Sequence, residues 1–139
     1  MERTATTTAD PATVWATWAD LTSWPAWTET VTSVTELAPG SEPAVGSRYR
    51  VRQPRLGRAQ WTITEWEPGR RFTWESTAPG VRSVASHAVT ERPGGGSELV
   101  ATLEWQGPLA PVLRLAVGRL AERYVETELA SLVAHCERG

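Results

Sequence analysis

Hydrophobic and polar residues alternate with a period of two through much of the middle of the chain. In residues 48–53, Tyr49 and Val51 lie on one face and arginines occupy the other. A period-two pattern with one apolar face is typical of antiparallel strands that cover a core. The same pattern runs through residues 58–67, 71–77, 81–91 and 97–106. Weaker, threonine-rich alternation over residues 3–9 and 30–37 raises the prediction to about seven strands.

Two short segments after the first strand have helical signatures. Asp10 suits an N-cap because a proline follows it at the first helical position. Trp15 and Trp18 then share one face of the predicted helix. Asp20 is a second predicted N-cap, which opens a short helix over residues 21–27.

The C-terminal pattern and the order of the elements constrain the architecture. From about residue 109 to 135, apolar residues recur at helical spacing, which predicts one helix roughly 39 Å long. About seven strands at 4.8 Å spacing make a sheet on the order of 30 Å wide, whereas one helix is about 10–12 Å across. The sheet must therefore curl around the helix.

The predicted fold is α+β, a curved antiparallel sheet around one long C-terminal helix, with two short helices after the first strand. The length favours a single domain over residues 1–139. Curling leaves a cavity between the concave face and the long helix. We expect the two short helices to close one end, with Trp15 and Trp18 as packing residues and Trp24 and Trp27 at the rim.

Charge and composition exclude several classes of partner and chemistry. The net charge is −2 with no long run of one sign, which argues against nucleic acid or an anionic membrane as the main partner. No apolar run approaches about eighteen residues and the N-terminus lacks a signal pattern, so we expect no membrane insertion and a cytoplasmic location. All 14 basic side chains are arginine, which removes lysine-based catalysis. The two histidines are unclustered, so neither a metal site nor another cofactor is expected.

Large rings with polar atoms lie on the strand faces that should point inward. Buried tryptophan and tyrosine need a hydrogen-bond partner, which a ligand can supply. Core packing is the alternative interpretation for each ring taken alone. The predicted ligand contacts are Tyr49, Trp61, Ile63, Trp74, Ala85, His87, Leu103, Trp105 and Tyr124.

His87 and Glu65 are the candidate catalytic residues. His87 shares the inward face of its strand with Ala85, and an imidazole there can act as acid or base on a phenol or enol. A hydrogen-bonded core histidine is the alternative. Glu65 follows Trp61 by strand alternation and should face the cavity, where a buried carboxylate can be a general acid or base. A bulge near Trp66 would reverse this and leave Trp66 inside and Glu65 outside.

Several short motifs follow one another in a defined order. They are Ala9-Asp10-Pro11-x-x-Val14-Trp15, Asp20, Trp24-Pro25-x-Trp27, Gly46-Ser47-Arg48-Tyr49, Glu67-Pro68-Gly69-Arg70-Arg71 before Phe72-Thr73-Trp74, and Trp105-Gln106-Gly107-Pro108-Leu109. This order resembles the START-like, or SRPBCC, helix-grip superfamily, and most closely its polyketide cyclase/dehydrase and lipid-transport branch. The resemblance covers essentially the whole chain. It implies the helix-grip fold and a hydrophobic cavity for aromatic or lipid-like ligands, without implying a particular reaction.

Three functions fit these observations, and a homodimer is compatible with each. The leading hypothesis is cofactor-free binding of a small hydrophobic ligand, aromatic or lipid-like, in the cavity. The rival is a cofactor-free polyketide cyclase, aromatase or dehydratase with His87 as the acid or base. Resemblance to aromatase/cyclases implies an arginine and several hydroxyls in the pocket, where this chain offers Ile63 and Glu65. The third is a protein-interaction or chaperone co-activator module, which predicts an exposed apolar patch and a collapsed interior.

Overall fold

The computed structural model describes residues 1–40 and 42–138, and its seven strands form one antiparallel sheet. The strands are β1 (Glu2–Thr7), β2 (Ser33–Glu36), β3 (Arg48–Gln53), β4 (Gly57–Glu67), β5 (Arg71–Ala78), β6 (Val81–Glu91) and β7 (Ser97–Gln106). Their order across the sheet is β1-β7-β6-β5-β4-β3-β2, so β2 to β7 form a meander and β1 pairs with β7. The sheet is curved and open, and a long C-terminal helix accompanies it, which confirms the predicted helix-grip fold.

The helical elements occur where the sequence predicted them. They are α1 (Pro11–Trp18), a 3₁₀ helix (Leu21–Ala26) and α2 (Ala110–Glu137). Asp10 caps α1 as predicted, because its side chain accepts a 2.8 Å hydrogen bond from the backbone N–H of Thr13. Asp20 occupies the N-cap position of the 3₁₀ helix as predicted, but its side chain makes no capping hydrogen bond. α1 contacts α2 and β6, and the 3₁₀ helix contacts β2, so both short helices pack at one end of the sheet.

The beginning of α2 is fixed to the turn between β5 and β6. The backbone N–H of Leu109 donates to the Gly80 carbonyl at 2.9 Å. Gly107 has a φ of +107°, and a Cβ atom at this position would lie 2.7 Å from the Gly80 oxygen. Glycine is the residue that allows both the positive φ and this close approach. The helix therefore starts against the sheet and passes β7 and β1 along its length.

A bulge in β4 reverses the alternation in the second half of the strand. Ile63 is opposite Trp74, whereas Glu65 is opposite Thr73, so β4 has one residue more than β5 between these pairs. An extra residue of this kind shifts each following side chain to the other face of the sheet. Residues before the bulge keep the predicted orientation, and residues after it do not.

The bulge places Trp66 inside and Glu65 outside. The Trp66 ring lies 5.1 Å from the Trp15 ring, measured between centroids. The Glu65 carboxylate accepts hydrogen bonds of 3.0 Å from the side chains of Arg71 and Thr73. The interior position expected for Glu65 is therefore wrong, and the alternative with a bulge near Trp66 is correct. Glu65 lines neither of the cavities described below.

Candidate functional site

A cavity of about 90 Å³ lies between the sheet and α2, and we call it the inner cavity. One wall consists of side chains from β3 to β7, the opposite wall belongs to α2, and the 3₁₀ helix contributes a tryptophan. The aromatic and ionisable side chains that line it are Trp24, Trp61, Trp74, His87, Tyr124 and Glu128. The inner cavity thus combines large rings with an imidazole and a carboxyl group.

A second space of about 270 Å³, the outer cavity, adjoins the inner cavity along α2. Trp61 and Leu103 line both spaces. Trp105, Leu113 and Val117 line the outer cavity and not the inner one. In the part of the chain that the structure describes, no ionisable side chain lines the outer cavity. The ionisable groups of the site are therefore gathered at its inner end.

His87 points inward from β6, as the strand alternation predicted, and is only 4% exposed. Its imidazole stacks on Phe72 with ring centroids 4.2 Å apart and meets the Trp18 ring edge-on at 5.2 Å. Burial lowers the pKa of His87 from 6.5 to about 3, and the backbone of Phe72 opposes this shift. His87 is therefore neutral near pH 7. Its buried Nδ1 has no hydrogen-bond partner of normal geometry among residues 1–40 and 42–138.

Glu128 on α2 faces His87, and the sequence analysis did not identify it. Its Oε2 accepts a 3.0 Å hydrogen bond from Nε1 of Trp18 and lies 3.7 Å from Nε2 of His87. Burial raises the pKa of Glu128 from 4.5 to about 7, while the hydrogen bond from Trp18 opposes this shift. Below this pKa the two residues form a neutral carboxylic acid next to a neutral imidazole.

The helical spacing of α2 contained a signal for Glu128. Val125, Leu129 and Leu132 belong to the stripe that packs against the core. Glu128 lies three residues after Val125 and four before Leu132, so it falls on the same face. The predicted core face included only the apolar members of this stripe. An acidic residue at such a position indicates a buried carboxylate.

Most of the predicted ligand contacts border the cavities. Trp61, Trp74, Ala85, His87, Leu103 and Tyr124 line the inner cavity, and Trp105 lines the outer one. Tyr49 and Ile63 line neither, so their predicted place in the cavity wall is wrong. Both are core residues, and the Tyr49 ring packs 6.1 Å from the Trp74 ring. For the residues in the wall, contact with a ligand stays a prediction.

Trp24 lies deeper than the sequence predicted. Its ring is buried, with centroid distances of 5.5 Å to Trp74 and 5.6 Å to His87. Its Nε1 donates a 2.9 Å hydrogen bond to the backbone carbonyl of Trp18. Trp27 is also buried, with its ring 5.5 Å from that of Trp24. The predicted rim positions are therefore wrong, because the 3₁₀ helix turns both rings toward the interior.

Tyr124 connects α2 to the loop between β3 and β4. Its hydroxyl donates a 2.5 Å hydrogen bond to the backbone carbonyl of Pro54. Its ring lines the inner cavity, as do Gln53 and Leu56 on either side of the Pro54 segment. This hydrogen bond therefore links the α2 wall of the inner cavity to the β3–β4 loop.

Exposed apolar side chains occur on the first half of α2. Val112 is 61% exposed and Leu115 is 90% exposed. Within residues 1–40 and 42–138, no helix is both long enough and apolar enough to cross a membrane. The protein-interaction hypothesis predicted exposed apolar residues together with a collapsed interior. The two cavities contradict the collapsed interior.

The fold agrees with a comparison against known families. The family model described as polyketide cyclase / dehydrase and lipid transport matches residues 1–137. The chain belongs to this family. This confirms the START-like, SRPBCC resemblance that the motifs indicated.

Solved structures of other proteins share the fold. A hypothetical protein from Helicobacter pylori has 14% identity and a TM-score of 0.84, over 97% of this chain and 86% of that one. The Zhui aromatase/cyclase from Streptomyces sp. R1128 has 20% identity and a TM-score of 0.80, over 99% of this chain and 93% of that one. A START superfamily protein from Mycobacterium smegmatis has 14% identity and a TM-score of 0.76, over 99% and 97%. No match was found among curated proteins. At these identities, the likeness to solved structures shows the fold alone.

Proposed function

We propose that the protein binds a small hydrophobic, aromatic compound in the inner and outer cavities without a cofactor. The observation that carries this proposal is a cavity walled by tryptophan rings, with His87 and Glu128 as its innermost polar groups. Ligand sites commonly combine a mainly apolar wall with a few convergent polar groups that orient the ligand.

The size of the site supports a compact ligand. The inner cavity measures about 90 Å³ and the outer cavity about 270 Å³. Pockets for small molecules span roughly 300–1,000 Å³, so the two spaces together lie at the lower end of this range. Rings in the wall favour an aromatic ligand, because aromatic pairs gain stabilisation beyond the area they bury. The family description, which names cyclases, dehydrases and lipid transport, is compatible with a hydrophobic ligand.

Filling the inner cavity should prevent binding. Ala85 lies in the cavity wall opposite Trp74, whereas Ala88 lies on the other face of the same strand. Tryptophan fluorescence titrations with 2-acetylnaphthalene would compare the wild type with Ala85→Leu and Ala88→Leu. We expect Ala85→Leu to weaken binding by about tenfold or more, because the added carbons occupy the ligand's space. Ala88→Leu should keep Kd within about twofold. Equal Kd values for the two variants would contradict the proposal.

A second candidate function is a cofactor-free cyclase, aromatase or dehydratase. The 3.7 Å approach of Oε2 of Glu128 to Nε2 of His87 favours it, since an acid beside a base can move protons on a bound substrate. His87→Ala should abolish product formation from a poly-β-keto thioester, followed by mass spectrometry, and should leave the affinity for that compound within a fewfold range. An unchanged rate would reject the catalytic role of His87.

A further inference from the structure

We propose that Glu128 is the hydrogen-bond donor of the inner cavity and that it selects a neutral aromatic carbonyl compound, a ketone or quinone. The ligand's carbonyl oxygen would accept a hydrogen bond from a hydroxyl at Oε1 of Glu128. This inference rests on the proposed function and adds to it a residue and a ligand class.

The two oxygens of Glu128 have different surroundings. Oε2 accepts the 3.0 Å hydrogen bond from Nε1 of Trp18, and an indole N–H can only donate. A neutral carboxyl group has one carbonyl oxygen and one hydroxyl. The carbonyl oxygen is the better acceptor of the two, so the proposal places it at Oε2, beside the Trp18 N–H, and places the hydroxyl proton on Oε1.

Oε1 is the oxygen that remains for a ligand. Among residues 1–40 and 42–138, the side-chain hydrogen bond made by the Glu128 carboxyl is the one from Trp18 to Oε2. Glu128 lines the inner cavity, so a bound compound can reach its carboxyl group. A hydroxyl donor in an apolar cavity favours a ligand with an acceptor, since an unpaired donor is costly once water has been displaced.

The surroundings of Glu128 favour its neutral form. From α1, Trp18 contributes a neutral donor, and from β6, His87 contributes a neutral imidazole. From β1, Arg3 pairs with two other glutamates of α2, at 3.7 and 3.5 Å. The side chains that β3, β7 and the 3₁₀ helix contribute to the inner cavity are uncharged. With no cation facing it in the described part of the chain, the buried carboxyl group has a pKa raised to about 7.

The same features disfavour charged ligands. An aromatic carboxylate would bring a second acid close to Glu128 without a cation to neutralise either. An aromatic ammonium would suit the rings and an ionised Glu128, but the ionised carboxylate would have Trp18 as its one donor within the described protein. A neutral carbonyl compound needs no buried charge. An aromatic ammonium is therefore the competing ligand class that the experiment must be able to detect.

Four naphthalenes of similar shape distinguish the ligand classes. They are 2-acetylnaphthalene, 2-ethylnaphthalene, 2-naphthoate and 1-(2-naphthyl)ethylamine. Their Kd values would be measured on the full chain by tryptophan fluorescence, at about pH 5.5 and about pH 8.5. At the lower pH we expect the ketone to bind about tenfold more tightly than the ethyl compound, as one hydrogen bond provides. This preference should fall at the higher pH, where Glu128 loses its proton, and naphthoate should bind most weakly throughout.

Two variants test whether Glu128 causes the preference. Glu128→Gln keeps a donor at the same position without an ionisable group, so the preference for the ketone should persist and become independent of pH. Glu128→Leu removes the donor, so the ketone and the ethyl compound should bind equally. Thermal melting confirms that each variant is folded. If Glu128→Leu does not fold, the pH independence of Glu128→Gln still decides the question.

The possible results separate this inference from the proposed function. If none of the four compounds binds at either pH, the proposed function fails. If the ketone and the ethyl compound bind the wild type equally, the donor role of Glu128 is refuted while the proposed function stands. If the amine binds more tightly than the ketone and gains affinity as the pH rises, the ligand class is an ammonium and the proposal is overturned.

Discussion

Glu128 and His87 are held in their neutral forms by what surrounds each side chain. The His87 ring is enclosed by Phe72 and Trp18, and the Glu128 carboxyl has a single donor, Nε1 of Trp18, in the described part of the chain. An ion pair at this position would lose the hydration of both charges, and at 3.7 Å the separation is too long for a strong hydrogen bond to compensate. Below the Glu128 pKa of about 7, the pair is therefore a neutral acid beside a neutral imidazole.

The stability of the protein should depend on pH through Glu128. Its pKa is about 7 in the folded protein and 4.5 without burial. The folded state therefore binds more protons between these values, and stability falls as the pH rises through this window. Glu128→Gln has no ionisable group at this position, so it should not lose stability through this pH window. Between about pH 4.5 and pH 8, the variant should gain on the order of 2–3 kcal/mol of unfolding free energy relative to the wild type, measured by urea denaturation.

His87 acts in the opposite direction on the acid side. Its pKa falls from 6.5 to about 3 on folding, so stability is lost as the pH falls below 6.5. Because the wild type and Glu128→Gln both contain His87, the difference between them isolates the contribution of Glu128. A difference that stayed constant across this pH range would contradict the raised pKa.

Single residues were predictable where the local pattern decided their orientation. Strand alternation placed His87 inside because β6 keeps its period of two on both sides of it. The same rule gave Tyr49 the correct face, yet Tyr49 packs into the core and lines neither cavity, which only the packed structure shows. Glu128 was missed because a charged residue on a helix is usually solvated. Its role depends on Trp18, which is 110 positions away in the chain.

At the scale of elements, α2 and the β3–β4 loop are joined by one hydrogen bond. Tyr124→Phe removes the donor to the Pro54 carbonyl and keeps the ring in the cavity wall. The bond is exposed, so stability should change by less than about 1 kcal/mol. We expect the dissociation rate of 2-acetylnaphthalene, measured by stopped-flow fluorescence, to increase by about fivefold because the wall opens more often. Tyr49→Phe, outside the cavity, is the control, and equal rates in both variants would argue against the closing role.

The bulge in β4 makes a separate prediction for Glu65. Its carboxylate pairs with Arg71 on the outer face, where its side chain is 39% exposed. Glu65→Ala should therefore change stability by no more than about 1 kcal/mol and the Kd for 2-acetylnaphthalene by less than about twofold. Urea denaturation and fluorescence titration measure the two quantities. A tenfold loss of affinity would show that Glu65 belongs to the binding site and would contradict its outward orientation.

The strands whose hydrophobic and polar residues alternate most clearly had the most accurately predicted bounds. The bounds of β3, β6 and β7 agree with the predicted 48–53, 81–91 and 97–106. β2 spans Ser33–Glu36 and is shorter than the predicted 30–37. Thr30 lies in the preceding loop, where its hydroxyl bonds to that of Thr28. The bulge could only be considered as an alternative, since it depends on the register between β4 and β5.

At the scale of the whole molecule, the cavity follows from one helix facing a wide sheet. The order of the elements was sufficient to predict the curved sheet, α2 and the space between them. The tryptophans then divide by position. Trp15 and Trp66 pack α1 against the sheet, whereas Trp24, Trp61 and Trp74 line the inner cavity. The ligand class could not be predicted in this way, because it depends on the surroundings of Glu128, which form only when α1, β6 and α2 meet.

The central claim is that an aromatic compound occupies the inner cavity. The most direct measurement is a titration of protein labelled with ¹⁵N-tryptophan, following the indole N–H signals by NMR while 2-acetylnaphthalene is added. The signals of Trp24, Trp61 and Trp74 should move, because ring currents from the ligand act over a few ångströms, and those of Trp15 and Trp66 should stay in place. If no signal moves at saturating ligand, or if those of Trp15 and Trp66 alone move, the cavity is not the binding site.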